Sequence, residues 1–260
     1  MKMFKHLSRV VLIIAVLLSA AAVPTRAEEE PAPTASADVA FMSQYIWRGY
    51  ELSKDSLVIQ PSLTVGYMGF SLNLWGNIDT DVYGDDRNEA QWNETDLTFG
   101  YERTVGPVNL GAGYIYYALD GLDDSQELYA SAGLDVFLSP TLTIYREIAH
   151  VPAWYLKLGI SHSFELPREI SLDLGASAGY YFSDDDDFSE AGNPNEKYRS
   201  LHDGLVSVGL TIPLGDYFSC APMIAYSFPL SSEADDLITD ASYSQDSDFF
   251  FGGVTFSLAF

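Results

Sequence analysis

One cysteine in 260 residues leaves the chain unable to form a disulfide within itself, and it closes off a disulfide-stapled fold or a paired-cysteine metal site. Positive charge is scarce as well, with 13 Lys and Arg against 37 Asp and Glu. A net charge of −24 repels phosphate backbones and argues against nucleic-acid partners. Beyond residue 27 no apolar run approaches the roughly 18 residues that a membrane helix needs. No glycine-rich phosphate loop and no nucleophile motif is present. Aromatics, in contrast, are plentiful: the chain is 47% hydrophobic, with 17 Tyr and 15 Phe. If such a chain spans a membrane without a helix, a closed β-barrel is the solution left to it.

The first 27 residues read as an address. Lys2, Lys5 and Arg9 form a basic start, residues 10–23 are apolar apart from Ser19, and Pro24 to Ala27 offer a small-residue cleavage site. The pattern predicts a secretory signal peptide over 1–27, too short in its apolar run to span a bilayer. Its removal takes away four basic residues and no acidic ones, so the charge goes from −24 to −28. Residues 28–37 (EEEPAPTASA) read as a flexible periplasmic lead-in. The barrel domain is then expected over 38–260.

Period-two alternation is the main structural signal. At the C-terminus Phe260, Leu258, Phe256 and Val254 share one face, and Ala259, Ser257, Thr255 and Gly253 share the other. About twelve such runs are predicted, near 38–49, 58–68, 70–78, 92–103, 108–119, 127–137, 141–148, 154–164, 170–182, 205–213, 217–228 and 248–260, with nothing helical between them. The run at 154–164 turns Leu156, Leu158 and Ile160 to one side and Tyr155, Lys157 and Gly159 to the other. A soluble sandwich would show the same period, with the apolar face buried instead. Aromatics gathered towards strand ends (Tyr67, Phe70, Phe99, Tyr101, Tyr116, Trp154, Phe164, Tyr180, Phe218) favour the two interfacial girdles of a membrane barrel. Pro61 and Pro222 fall inside predicted strands and call for a bulge or a strand end. Arg146 shares an outward face with Leu142 and Ile144, tolerable near an interface.

Connections alternate too. Those after runs 2, 4, 6, 8 and 10 are tight, and those after 1, 3, 5, 9 and 11 are longer and polar, the short link after run 7 excepted. Outer-membrane barrels have this rhythm of periplasmic turns and extracellular loops. An all-β, antiparallel up-and-down transmembrane barrel of about twelve strands in a Gram-negative outer membrane is the expected fold.

By alternation, Arg48, Glu94, Asp96, Glu127, Asp135, Lys157 and Asp173 are the expected pore-lining charges, with Glu147 beside them. Charges lining a pore set ion preference, and an acidic excess favours cations. The same residues could instead form a salt-bridged filling, since twelve strands lie between barrels that side chains can fill and barrels that leave a channel. The loops are acidic: Asp79, Asp81, Asp85, Asp86 and Glu89; Asp120, Asp123 and Asp124; Asp184 to Asp187 with Glu190; and Asp235, Asp236, Asp240 and Asp246. They could hold divalent cations, or be a solvated and mutually repelling surface. Asp79, Asp81 and Gly84 begin like a calcium loop, but Tyr83 and Ala90 break the pattern. His202, with Asp203 or with the Asp184 to Asp187 run, could form a rim Asp/His pair that activates a water, while His150 reads as a loop residue and His162 as an interfacial one. Cys220 reads as a small apolar side chain.

Several segments resemble a known family. Ser43-Gln44-Tyr45-Ile46-Trp47-Arg48-Gly49, then Gln60-Pro61-Ser62, Gly69-Phe70, Trp75-Gly76-Asn77, Glu94-Thr95-Asp96, Gly100-Tyr101 and Gly113-Tyr114-Ile115-Tyr116-Tyr117 are similar to the TorF-type porins of the outer membrane, also labelled Gcw_chp conserved hypothetical proteins. The resemblance covers about 43–117 and implies a barrel and a pore; it brings no substrate and no functional residues. The expected function is passive diffusion of small polar or cationic solutes, without covalent chemistry or a cofactor. The alternatives are a closed structural barrel whose acidic loops bind cations or a surface partner, and a rim hydrolase built on His202.

Overall fold

The computed structural model describes residues 32–84, 89–185, 188–190 and 193–260. The expected signal peptide lies outside them, as do Asp85, Asp86, Asp186 and Asp187. Twelve strands form a closed barrel: β1 (Thr34–Met42), β4 (Val58–Tyr67), β5 (Phe70–Asp79), β6 (Gln91–Val105), β7 (Val108–Leu119), β8 (Ser125–Leu134), β9 (Thr141–Glu147), β10 (Ala153–Glu165), β11 (Ser171–Ser183), β14 (Arg199–Pro213), β15 (Phe218–Pro229) and β16 (Phe249–Ala259). Each pairs antiparallel with its neighbours. β1 closes the ring against β16, from Ser36 opposite Ala259 to Met42 opposite Gly253. Ala35 and Phe260 exchange backbone hydrogen bonds of 2.8 and 3.0 Å at the seam, so the barrel closes without an open edge among the described residues. Two small hairpins stand outside the ring, β2 (Ile46–Trp47) with β3 (Tyr50–Glu51), and β12 (Ser189–Glu190) with β13 (Asn193–Lys197).

The short turns gather at the end that holds Thr34 and Phe260, and the longer loops at the other. Outward-facing Leu72, Leu74, Leu97, Leu128, Leu142, Leu158, Val206 and Ile224 are exposed on the wall, as hydrocarbon-facing residues of a membrane barrel must be. Aromatic girdles form at both ends. Phe70 packs on Phe99 and Tyr101 near the turns, with ring centroids 6.0 and 4.7 Å apart, and Trp154 stacks on Phe182 near the loops at 6.1 Å. His162 lies between Phe137 and Phe164 in the turn-end girdle, as its interfacial placement predicts. Arg146 faces outward at the loop end, 2.7 Å from Asp184 and over the Trp154 ring, which explains how lipid-side charge is tolerated there.

Several expectations change. β1 begins at Thr34 and ends at Met42, so 34–37 belong to the wall and 43–49 do not. Neither Pro61 nor Pro222 makes a bulge or ends a strand. Register runs unbroken through Pro61 to Val39 and through Pro222 to Val254, and pairing lapses only on the other side, where a proline has no N–H to give. A helix is present after all: α1 (Ser232–Ala241), between β15 and β16, is capped by the Ser231 hydroxyl, which accepts from the Ala234 N–H at 3.1 Å. Its acids Asp235, Asp236 and Asp240 therefore sit on a helix, and its apolar side, Ala234 and Ile238, is buried against Phe249.

Candidate functional site

The largest group of buried side chains lies inside the barrel, at its loop end. After β1 the chain turns inward, and β2 and β3 form a hairpin whose two turn residues are Arg48 and Gly49. Both have positive φ, 48° and 86°, as a two-residue turn of type I′ requires. Glycine adopts this freely, but arginine does so at a cost. What offsets the cost is visible at the tip. Arg48 Nη1 and Nη2 donate to Glu127 Oε1 and Oε2 on β8, each at 2.7 Å. Tyr117 Oη donates to the same carboxylate at 2.9 Å. The guanidinium lies over the rings of Trp47, Tyr145 and Tyr155, 4.3 to 4.6 Å from their centroids. Burial works against the Arg48 charge, but the charge and hydrogen bonds of Glu127 outweigh it and hold the pKa above the ordinary arginine value.

The base of the hairpin is tied to the last loop. Glu51 accepts from Gln44 Nε2 at 3.1 Å and from the Ser244 N–H at 2.7 Å, and its own N–H donates to Ser242 Oγ. Ile46 and Tyr50 pack against the Ala234–Ile238–Phe249 cluster. A Cβ built on Gly49 would stand 2.9 Å from Ile238 Cδ1 and 3.1 Å from Asp203 Cβ, so only glycine fits between α1 and the wall. Tyr45 packs at a tilt against Trp75 with centroids 5.6 Å apart. Burial first, then the charges of Glu94 and Asp96, push its hydroxyl well above the ordinary tyrosine value, so it remains a neutral donor to Glu94.

The wall is shaped to receive this plug. Opposite Gly179 of β11, β14 carries a β-bulge that turns both His202 and Asp203 inward. Tyr155 Oη donates to Asp203 Oδ1 at 2.8 Å. His202 Nδ1 lies 2.7 Å from Tyr198 Oη, and its ring packs on Tyr50 and Tyr181. Below the hairpin tip is a cavity of about 280 Å³, lined among others by Arg48, Tyr117, Tyr145, Lys157, Asp203 and Ser227. Towards the turns the inward positions shrink to Gly, Ser and Thr: Thr143, Ser161, Gly175 and Ser207. Tyr129 lies along that wall, where a Cβ on Gly100 or Gly113 would meet it at 2.8 and 2.5 Å.

Arg48 and Glu127 meet, but Arg48 comes from the inserted hairpin and not from the face of a strand. Glu94 and Asp96 lie on the inward face of β6, near the hairpin. Lys157 faces the cavity from β10. Asp135 is not an inward strand residue. β8 ends at Leu134, and Asp135 is exposed in the following turn, beside a second cavity of about 240 Å³ at the turn end. Asp173 also lies near that end, bonded to Ser163, Ser171 and Thr211. Glu147 ends β9 and accepts three loop N–H groups, from Ala149, His150 and Val151, at 2.9 to 3.1 Å. It braces the short link that broke the alternation of loop lengths.

His202 is not on a rim. It is 0% exposed within β14, which begins at Arg199 and not near 205, and water cannot reach it as a general base would need. Among the described residues, no three or more His, Cys, Asp or Glu side chains converge as metal ligands. Asp79 is buried and bonds the Asp81 N–H at 3.0 Å, while Asp124 accepts from Tyr116 and Leu119. Sequence reasoning missed Asp203 and Tyr145 as lumen residues. Period two points Tyr145 inward beside Arg146, but the bulge that turns Asp203 has no signature beyond Gly179 and Gly204.

The description "Bacterial protein of unknown function (Gcw_chp)" belongs to a family whose model matches residues 26–151, a span that takes in the hairpin and Glu127. No curated protein sequence matches the chain. Among solved structures, the NanC porin aligns over 85% of this chain and 98% of its own length, at 9% identity and a TM-score of 0.55. An outer membrane channel from Pseudomonas putida F1 aligns over 91% of this chain and 100% of its own, at 10% identity and a TM-score of 0.49. With an apolar wall turned outward and the barrel fold it shares with the NanC porin, the chain is an outer-membrane β-barrel protein.

Proposed function

We propose that this porin-like barrel is a channel for passive diffusion of small polar or cationic solutes, with the β2–β3 hairpin setting its aperture. The observation that carries the reading is the balance of charge around the hairpin. Arg48 is neutralised by Glu127, which leaves Glu94, Asp96 and Asp203 facing inward against Lys157. A lumen wall with more carboxyl than ammonium groups favours cations over anions. Asp135 and Asp173 add negative charge towards the periplasmic mouth. The hairpin tip, Ile46 to Gly49, falls within one of the several segments by which the chain resembles the TorF-type porins.

Single-channel recording in a planar bilayer tests this. Discrete steps that select potassium over chloride, and lose part of that selectivity in Glu94→Gln/Asp96→Asn, support the channel. A barrel that inserts and stays silent sinks it in favour of a closed, structural barrel.

A further inference from the structure

We infer that the cavity beneath the hairpin is a binding site for small zwitterionic solutes of amino-acid size, in which Lys157 receives the carboxylate and Asp203 the ammonium group. This deepens the channel reading by naming the solute class that its narrow part would hold.

Both groups are on the cavity wall, on β10 and β14, and each retains capacity for a partner. Asp203 is 5% exposed, and its one side-chain bond goes from Tyr155 to Oδ1. Lys157 stands between Thr143 and Gly179 in register, and neither a hydrogen bond nor an ion pair joins it to any described residue. The two are close enough for the Lys157 charge to act on Asp203, yet no ion pair joins them directly. A carboxylate as buried as that of Asp203 calls for a counter-charge, and the half-buried Lys157 is left to pair with an anion. Two opposite charges on one wall, unjoined, are complementary to a molecule that carries both.

The presentation of Asp203 is a built feature. The bulge at His202–Asp203 turns it inward, and Gly179 clears the space it occupies: a Cβ there would overlap Asp203 Oδ1 and stand 2.6 Å from Tyr155 Oη. The hydroxyls of Ser177 and Ser227 are on the same lining, with Phe251 as an apolar wall. About 280 Å³ is just under the usual range for small-molecule sites, roughly 300–1,000 Å³, and suits a ligand of amino-acid size. The stacked faces of Tyr145 and Tyr155 are already taken by Arg48, which argues against a sugar ring as the preferred occupant.

Isothermal titration calorimetry of the whole barrel in detergent tests the site with L-alanine against ethylamine, propionate and glycerol. Saturable heat with alanine, at least about tenfold tighter than with the three partial mimics, is the expected result; a tenfold ratio corresponds to about 1.4 kcal/mol. Lys157→Gln should weaken alanine about tenfold or more while leaving ethylamine unchanged, and Asp203→Asn should weaken alanine as much while leaving propionate unchanged. Lys157→Gln is the safer variant for folding, because its register neighbours are small, and heat-modifiable gel migration reports on the barrel in both. Alanine binding no tighter than glycerol, or indifferent to Lys157→Gln, overturns the inference. Calorimetry needs no conductance, so binding without channel steps would sink the channel reading alone, and channel steps without binding would sink this one alone.

Discussion

Arg48 and Glu127, 79 residues apart in the chain, join a hairpin tip to the barrel wall through two parallel 2.7 Å hydrogen bonds. The pair is almost fully buried, with side-chain exposures of 8% and 3%. Fork-to-fork geometry fixes orientation as well as distance, which a lysine at the same place could not do. The wall needs the pair little, because its strands are held by continuous ladders. The hairpin needs it much, because a lone two-stranded ribbon is marginal in water.

Glu127→Gln should therefore release the hairpin and leave the barrel standing. Breaking one side of a buried pair costs about 3–5 kcal/mol, more than an isolated ribbon can recover. We expect trypsin to cut after Arg48 in the variant and not in the wild type, while heat-modifiable gel migration stays unchanged. Larger or noisier conductance steps should accompany the cut. A variant as resistant as wild type would show that the contacts to α1 hold the hairpin alone.

The two faces of β10 offer a test of the lipid assignment. Leu158 points outward and is 54% exposed, and Ser161 points inward opposite Gly175. Leu158→Arg should cost about 2–4 kcal/mol in urea unfolding from lipid vesicles, as arginine does near a bilayer midplane. Ser161→Arg should cost much less, since a lumen position is wet. Equal costs at both sites would mean that the greasy face does not meet hydrocarbon.

The wall was legible from the sequence because lipid on one side and water on the other leave a strict period of two. That pattern read correctly on β8, β10, β11 and β16, and the outward Phe256 and inward Lys157 are where alternation puts them. What sits inside was harder. Tyr45 to Glu51 continues the strand pattern of β1 locally, and the partners that hold it inward, Glu127, Tyr145, Tyr155 and the α1 cluster, lie far along the chain. The α1 segment carries four acids in ten residues, which hid Ala234 and Ile238, one turn apart on its buried face. The bulge at Asp203 depends on tertiary room beside Gly179, and a single sequence does not encode that visibly.

Ser231→Ala should loosen the last loop. The hydroxyl caps α1 at Ala234 N–H, donates to the Leu201 carbonyl at 2.8 Å, and lies 2.7 Å from Ser200 Oγ. Loss of such a cap costs about 0.5–2 kcal/mol. Amide hydrogen exchange should rise over Ser232–Ala241 and, through Glu51 and Ser244, over the hairpin. Exchange in β10 and β11 should stay as it was; a rise there as well would mean that α1 supports the wall and not just the plug.

Gly179→Ala tests whether the bulge and the glycine act together. The added methyl overlaps Asp203 Oδ1 and crowds Tyr155 Oη, so the carboxylate must leave its bond to Tyr155. Overpacking of this kind costs about 1–3 kcal/mol. Asp203→Ala removes the group that is struck, so the same Gly179→Ala change made in that background should cost much less. The coupling between the two, read from a double-mutant cycle of urea unfolding in vesicles, should exceed about 0.5 kcal/mol. Additive costs would mean that Gly179 is needed for its backbone alone, and that Asp203 is held inward by the bulge without it.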